Sequence, residues 1–254
     1  MILTFSPIML RNRTHDILPA LNGWFALIAG KLRRADLSIF HQFAPPPSGG
    51  GHQFLRAFWR ETEARGMKVE NNLLSTSTRA CLFNSFNYDL QRLRRLRRDS
   101  VLYVHRVDGP VDIYRGREDG VDQSIWRANH ELADKTIFQS QKKKKKHSEL
   151  GLEFNNPVVV FNAADPHIFH SRERILFSRN RKIRLIASSW SDNFNKGAAV
   201  YQWLDAYLDW DRFEFNFVGR SPVIYKNIQI LPPVDSQRMG ELFRQHDIYI
   251  TASR

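Results

Sequence analysis

Three adjacent glycines stand where a phosphate group could be bound. Gly49, Gly50 and Gly51 follow a predicted strand at residues 37–43 and open a predicted helix that ends at Gly66. Backbone amides at the start of a helix can donate to an anion, and glycine lets the anion approach them closely. The pattern predicts a phosphate-binding loop, and its alternative is a flexible proline–glycine loop without a ligand.

A second set of polar residues follows a predicted strand at residues 101–105. His105, Arg106 and Asp108 place an imidazole, a guanidinium and a carboxylate at the carboxyl end of that strand. Ligands of open parallel sheets bind at this edge, so we expect these side chains to converge with the glycines. The structural alternative is that His105 satisfies a backbone group while Arg106 pairs with Asp108.

The second half of the chain repeats this arrangement. Residues 189–197 join a predicted strand to a predicted helix, and Lys196 stands at the start of that helix. Its charge opposes the helix dipole unless an anion is bound, so we expect an anion-binding role rather than a solvated lysine. Gly219 and Arg220 follow the next predicted strand in the same way.

Alternating strands and helices must position these residues. From residue 36 onward, short β-branched or aromatic runs alternate with segments of helical period, which predicts an α/β fold with parallel sheets. The predicted strands are residues 37–43, 67–70, 80–83, 101–105, 136–140, 158–161, 182–188, 213–218, 227–231 and 248–252. Helices are predicted after the glycines up to Gly66, at residues 88–98, 122–133, 198–208 and 236–246, and over the lysine-rich segment up to Leu150.

The length of 254 residues suits two such domains. We predict an N-terminal extension at residues 1–35, a first domain at 36–165, a polar and basic linker at 166–181, and a second domain at 182–254. A final parallel strand normally leads into a helix that covers the sheet, so the second domain is expected to be incomplete.

The composition indicates a soluble globular protein with an anionic partner. Hydrophobic residues make up 42% of the chain, and the formal net charge is +12. The single cysteine, Cys81, excludes an intramolecular disulfide, and residues 17–29 resemble neither a membrane span nor a signal peptide. We therefore expect a cytoplasmic location, with peripheral contact to an anionic membrane as an option, and no cofactor.

Two further patterns are interpreted as structural. The lysines at 142–146 and the arginines at 92, 94, 95, 97 and 98 lack interleaved aromatic residues and fit exposed helix faces, which makes nucleic acid an unfavoured partner. Asp209 and Asp211 have the spacing of a divalent-metal site, but they precede a predicted strand and so lie at the opposite sheet edge from the other candidates. We predict no metal site.

Taken together, several segments resemble the family-four glycosyltransferases. They are FHQFAPPPSGGGHQFL, NSFNYDLQRL, VHRVDGPVDIYRG, ADKTIFQS, SWSDNFNKG, FVGR and HDIYITASR. The resemblance extends from about residue 36 to the last residue, and HRVDGP and SWSDNFNKG are its most specific parts. It implies a GT-B fold, in which two Rossmann-like domains face each other across a cleft.

The resemblance implies a retaining transferase that moves a sugar from a nucleotide diphosphate sugar to a saccharide or glycolipid acceptor without a metal. It implies that Lys196 is the main cation on the diphosphate, and that His105 is the catalytic residue beside the transferred sugar. Gly50 and Gly51 would approach the diphosphate or the acceptor. The remaining positions carried over are Gly219 and Arg220, near the nucleotide, and Arg106, Asp108, Asn193 and Ser253, in supporting roles.

Two departures from the family pattern concern the donor site. Ser191 replaces an arginine that many relatives carry five residues before the lysine, and relatives continue past residue 254 into a helix with two glutamates that hold donor sugar and ribose. The sequence therefore predicts impaired activity. The alternatives are a non-catalytic basic protein that binds nucleic acid or anionic membrane, and a GT-B epimerase or phosphorylase.

Overall fold

The computed structural model describes residues 34–45, 47–116 and 119–252. The predicted extension at residues 1–35 therefore lies outside the described residues, except for its last two positions. Ser253, one of the predicted supporting residues, also lies outside them.

Residues 37–159 form one parallel sheet with its helices. In chain order the elements are β1 (Leu37–Phe40), α1 (Gly50–Ala64), β2 (Val69–Asn71), β3 (Ala80–Asn84), α2 (Leu90–Leu96), β4 (Leu102–Val107), α3 (Val111–Arg115), α4 (Val121–Leu132), β5 (Lys135–Phe138), α5 (Gln141–Glu149) and β6 (Pro157–Val159). The six strands lie in the order β2-β1-β3-β4-β5-β6, and every pairing is parallel. The predicted parallel sheet is confirmed for this part of the chain.

Helices bury both faces of this sheet, as a parallel sheet requires. On one face, Leu55 of α1 packs with Ile39 and Leu82 of the strands. On the other face, Leu93 of α2 and Leu132 of α4 belong to a cluster around Phe40, Phe83 and Tyr103. Cys81 is buried in that cluster.

Residues 183–249 form a second, smaller parallel sheet. Its elements are β7 (Ile183–Ser189), a short 3₁₀ turn (Phe194–Lys196), α6 (Ala198–Tyr207), β8 (Phe213–Gly219), β9 (Gln229–Leu231), α7 (Ser236–Gln245) and β10 (Ile248–Tyr249). The strand order is β10-β7-β8-β9, so the first strand of this sheet becomes an inner strand. Tyr201 of α6 packs on one face, and Leu242 of α7 packs on the other.

The predicted linker, residues 166–181, contains neither strand nor helix. It is attached to the second sheet at its end, where Arg181 donates two hydrogen bonds of 2.6 and 2.8 Å to the carboxylate of Asp247. Asp247 also accepts a hydrogen bond from the backbone N–H of Arg184, at 2.8 Å. The Arg181 bonds, with help from Arg184, lower the pKa of Asp247 to about 2 against the effect of burial.

Most predicted elements are confirmed to within a few residues at each end, and the structure adds the short helix α3 and the 3₁₀ turn. The architecture is thus α/β, with a six-stranded and a four-stranded parallel sheet that are both compatible with Rossmann-like domains. Among the helices of the described ranges, none has the length and apolar character needed to cross a membrane.

Candidate anion-binding site at the carboxyl edges of the two sheets

Strand order identifies where each sheet opens to a ligand. In the first sheet β2 lies on one side of β1 and β3 lies on the other, so the strand order reverses at β1. In the second sheet β8 lies on one side of β7 and β10 lies on the other, so the order reverses at β7. Ligands of open α/β sheets bind beyond the carboxyl ends of the strands at such switch points. The loops after β1 and β7 are therefore the candidate sites, and they contain the glycines and Lys196 predicted from the sequence.

The glycine loop leads directly into helix α1. Gly49 is the N-cap residue, and no described side chain caps the helix there. Gly50 and Gly51 are the first helical residues, whose amides have no acceptor within a helix. A Cβ added at Gly51 would stand 3.2 Å from the side-chain Nδ2 of Asn84, the last residue of β3. The first turn of α1 thus presents backbone donors directly above the switch point of the first sheet.

Arg56 fixes the loop that precedes these glycines. Its Nη1 donates to the hydroxyl of Ser48 at 2.8 Å, and its Nη2 donates to the carbonyl of Ala44. Gln53 adds a bond of 3.3 Å to the Ser48 carbonyl. These contacts hold the loop against its own helix, so the amides of Gly50 and Gly51 keep a defined direction.

The structure places His105 away from the open edge. Its ring is fully buried, stacks on Phe83 at a centroid distance of 4.3 Å, and accepts a hydrogen bond at Nδ1 from Asn129 Nδ2, at 3.1 Å. Burial, reinforced by the charge of His147 and opposed by the Asn84 carbonyl, lowers the pKa of His105 to about 3. Because β4 continues to Val107, His105 is an interior strand residue, and this geometry corrects the expectation that its imidazole reaches the open edge.

Arg106 points to the opposite face of β4, because successive side chains of a strand alternate. Its guanidinium carbon lies 4.3 Å from the centre of the Phe54 ring, and its Nη1 donates to Asp108 Oδ1 at 3.2 Å. The residue is only 3% exposed, and among the described residues Nε has no hydrogen-bond partner. The pair of Arg106 and Asp108, which belonged to the structural alternative, is present, and within the described residues it leaves Nε of the guanidinium without a partner.

Helix α5 brings a residue that the sequence analysis did not single out. Lys143 lies with its aliphatic chain over Gly109, where an added side chain would stand 3.5 Å from Lys143 Cγ. Its Nζ donates to Gln139 Oε1 at 2.7 Å. One turn later, the buried His147 lies 2.9 Å from the carbonyl of Asp108. One face of the lysine-rich helix therefore packs on the loop after β4, whereas the sequence analysis placed all five lysines on an exposed face.

The loop after β7 is held by a side-chain cap and by close packing at a glycine. Asn193, a predicted supporting residue, accepts a hydrogen bond of 2.9 Å from the amide of Asn195 and so caps the 3₁₀ turn that ends at Lys196. Gly197 follows with a φ of 96°, and a side chain there would stand 2.6 Å from the Cβ of Ala252. This glycine lets the start of α6 pack beside the segment after β10, and Lys196 lies at that junction.

The local backbone requires glycine at position 219. Its φ is 123°, and a Cβ at this position would stand 1.9 Å from the carbonyl oxygen of Ser189. The same carbonyl accepts a hydrogen bond of 2.9 Å from the amide of Arg220. The ends of β7 and β8 therefore approach each other closely, and the close contact of Gly219 is with the protein backbone.

Contacts between the two carboxyl edges bring these loops together. The guanidinium of Arg220 lies 4.8 Å from the ring centre of Trp190, and a side chain at Gly49 would stand 3.3 Å from the same indole. Ser236 donates to Gln53 Oε1 of α1 at 3.2 Å. The glycine loop of the first sheet and the cationic loops of the second sheet thus face each other across Trp190, a residue that the sequence analysis did not assign.

The aspartate pair and the arginine run make contacts within the protein. Asp209 and Asp211 precede β8 and lie at the opposite edge from Lys196, where Asp209 accepts a hydrogen bond of 3.1 Å from the amide of Asp211. Within the described ranges, no group of three or more metal-ligating side chains is present. Of the arginine run, Arg94 pairs with Glu131, and Arg98 donates to the carbonyl of Ser75 at 2.5 Å.

No protein-family model matches the chain, and no curated protein matches it significantly.

Proposed function

We propose that this chain is a retaining glycosyltransferase of the GT-B type, which transfers a sugar from a nucleotide diphosphate sugar to a saccharide or glycolipid acceptor. The observation that carries the proposal is the apposition of two switch-point loops across Trp190. One offers the amides of Gly50 and Gly51 at the start of α1, and the other offers Lys196 at the start of α6. A diphosphate between them would meet donors from both sides.

The chemistry needs stabilisation of a leaving group. When the bond between sugar and nucleotide breaks, negative charge develops on the departing nucleoside diphosphate, and fixed positive charge lowers the energy of that state. Lys196 and Arg220 supply full charges, and the start of α6 supplies the positive end of a helix dipole. In this proposal no metal is needed on the diphosphate, because protein cations take its place.

His105 takes a different part in this proposal from the one the resemblance implies. Its ring stacks on Phe83 and is hydrogen-bonded to Asn129, so it supports the strand that leads into Asp108. Asp108 follows this strand at the open edge, and the buried Arg106 donates to it. The carboxylate of Asp108 is 35% exposed, so an acceptor hydroxyl can reach it.

Removing the cation of the second sheet tests the proposal. We expect one of UDP, GDP and ADP to bind the purified chain, and Lys196→Ala to raise its dissociation constant about 10- to 100-fold, the effect of losing one charge-assisted hydrogen bond. Isothermal titration calorimetry measures both. Product analysis with the corresponding nucleotide sugar then separates a transferase from an epimerase or phosphorylase.

Lys226→Ala is the matched control, because Lys226 is an exposed lysine that precedes β9 and so lies at the opposite edge of the same sheet. The dissociation constant of the nucleotide from Lys226→Ala should equal that from the wild type. The proposal is wrong if the folded chain binds none of the three nucleotides, or if both lysine variants weaken binding equally.

A further inference from the structure

Arg106 is a buried guanidinium with too few partners. It is 3% exposed, its one described ion pair is the bond of 3.2 Å to Asp108, and its Nε has no hydrogen-bond partner among the described residues. Burial lowers the pKa of its guanidinium, and Asp108 only partly opposes this effect. Leaving a buried charged donor unsatisfied is costly, and a bound oxyanion would remove that cost.

Lys143 is held beside this guanidinium by its helix. Lys143 and His147 lie four residues apart and therefore on one face of α5, and the bond of His147 to the Asp108 carbonyl, at 2.9 Å, fixes that face against the loop after β4. The first turn of α5 starts at Ser140, whose hydroxyl accepts from the amide of Lys143 at 3.2 Å. Lys143 is therefore a positioned cation rather than a mobile surface lysine.

The charges at this place are unequal. Burial lowers the pKa of the Lys143 ammonium, Asp108 opposes this, and the positive charges of Arg106 and Lys196 lower the pKa further. These four groups comprise three cations and one carboxylate, and the cations come from both sheets. An anion bound between Arg106, Lys143 and Lys196 would reduce the repulsion among these three cations.

We propose that Arg106 and Lys143 form the first sheet's half of the diphosphate site, opposite Lys196 of the second sheet. The ligand class is an inorganic or nucleotide-linked diphosphate. This inference rests on the proposed function. It adds Lys143 and a direct phosphate contact for Arg106, and it implies that the diphosphate joins the two sheets, since each contributes cations to it. Arg106 suits the role because its planar donors match two oxygens at once, and Lys143 adds a point charge.

The test uses pyrophosphate and the nucleotide diphosphates as probes of the whole chain. Lys143→Gln should weaken pyrophosphate binding about 10- to 100-fold in calorimetric titration, because one charge-assisted bond is lost. Lys145→Gln is the matched control. Lys145 belongs to the same helix, but its side chain is 79% exposed and its Nζ lies 3.7 Å from Oε1 of Glu149. Lys145→Gln should therefore bind pyrophosphate as tightly as the wild type does.

Arg106→Lys provides a second variant that retains the buried charge but removes the planar donors. It should also weaken pyrophosphate binding, and its thermal unfolding temperature shows whether it is folded. The proposal is overturned if the wild-type chain does not bind pyrophosphate, or if Lys143→Gln binds it as tightly as the wild type.

The outcomes also separate this inference from the proposed function. If a nucleotide binds with dependence on Lys196 but not on Lys143, the donor site stands and the two-sheet diphosphate site is wrong. If pyrophosphate binding depends on Lys143 but no nucleotide binds more tightly than pyrophosphate, the oxyanion site stands and the assignment of a nucleotide sugar donor is wrong.

Discussion

Gly219→Ala is expected to lower the free energy of unfolding by about 3 kcal/mol or more, the range of severe backbone clashes. Alanine at this position would place Cβ 1.9 Å from the carbonyl oxygen of Ser189 and would retain a φ of 123°, which side chains rarely adopt. The neighbouring atom is backbone in a central strand, so it cannot move aside without disturbing the pairing of β7 with β8. Urea unfolding followed by tryptophan fluorescence measures the loss.

Gly66→Ala separates the clash from the cost of positive φ. Gly66 has a φ of 81°, and a side chain there would meet none of the described atoms within 4 Å. Its replacement should therefore cost only about 1 kcal/mol, the conformational term. Equal losses in the two variants would show that contact with Ser189 is not what requires glycine at position 219.

Acidification is expected to destabilise the folded chain through His105. Burial lowers the pKa of this imidazole from 6.5 to about 3 in the folded state. Between these two values the unfolded chain binds a proton that the folded chain does not, so the stability falls as the pH falls. His105 alone contributes a slope of about 1.4 kcal/mol per pH unit. His41, whose pKa burial lowers to about 4, contributes a second slope of the same sign.

His105→Asn should remove the first slope and leave the second. The asparagine oxygen can still accept the hydrogen bond that Asn129 donates to Nδ1, so the network around Thr136 is retained. His130→Asn is the control, because His130 is exposed on α4. Urea unfolding at pH 7, 6, 5 and 4.5 gives the slopes. An unchanged slope in His105→Asn would contradict the assignment of a buried neutral imidazole.

The elements were predictable because each strand is a short apolar run and each helix has an apolar face. Leu55 and Thr62 are buried on α1 seven residues apart, which is two helical turns, and that period is visible in the sequence. The position of the glycines and of Lys196 at the carboxyl edges was predictable for a related reason: loops after parallel strands share one edge of a sheet.

The misplacement of His105 has a specific cause. The predicted strand ended at residue 105, which put the imidazole at the open edge, but β4 extends to Val107. Two more strand residues move the edge to Asp108, and alternation then buries His105 on one face and Arg106 on the other. Strand ends depend on pairing with neighbours, here with β3 and β5, and a single sequence does not show that pairing.

Lys143 was not singled out because a run of identical residues shows no helical periodicity. Five lysines give no contrast between faces, and only His147, one turn after Lys143, indicates which face packs inward. Trp190 gives no signal in the sequence either, since its contacts with Gly49 and Arg220 join residues far apart in the chain.

The position of β10 beside β7 determines when the second sheet can be completed during synthesis. Residues Ile248 and Tyr249 pair with Leu185 and Ile186, which leave the ribosome more than sixty residues earlier. Until then, one edge of the inner strand β7 has unpaired amides and carbonyls, which could pair with another chain. The pairing of β10 with β7 closes a long loop, which costs conformational entropy, so completion of this sheet is expected to be a late and slow step of folding.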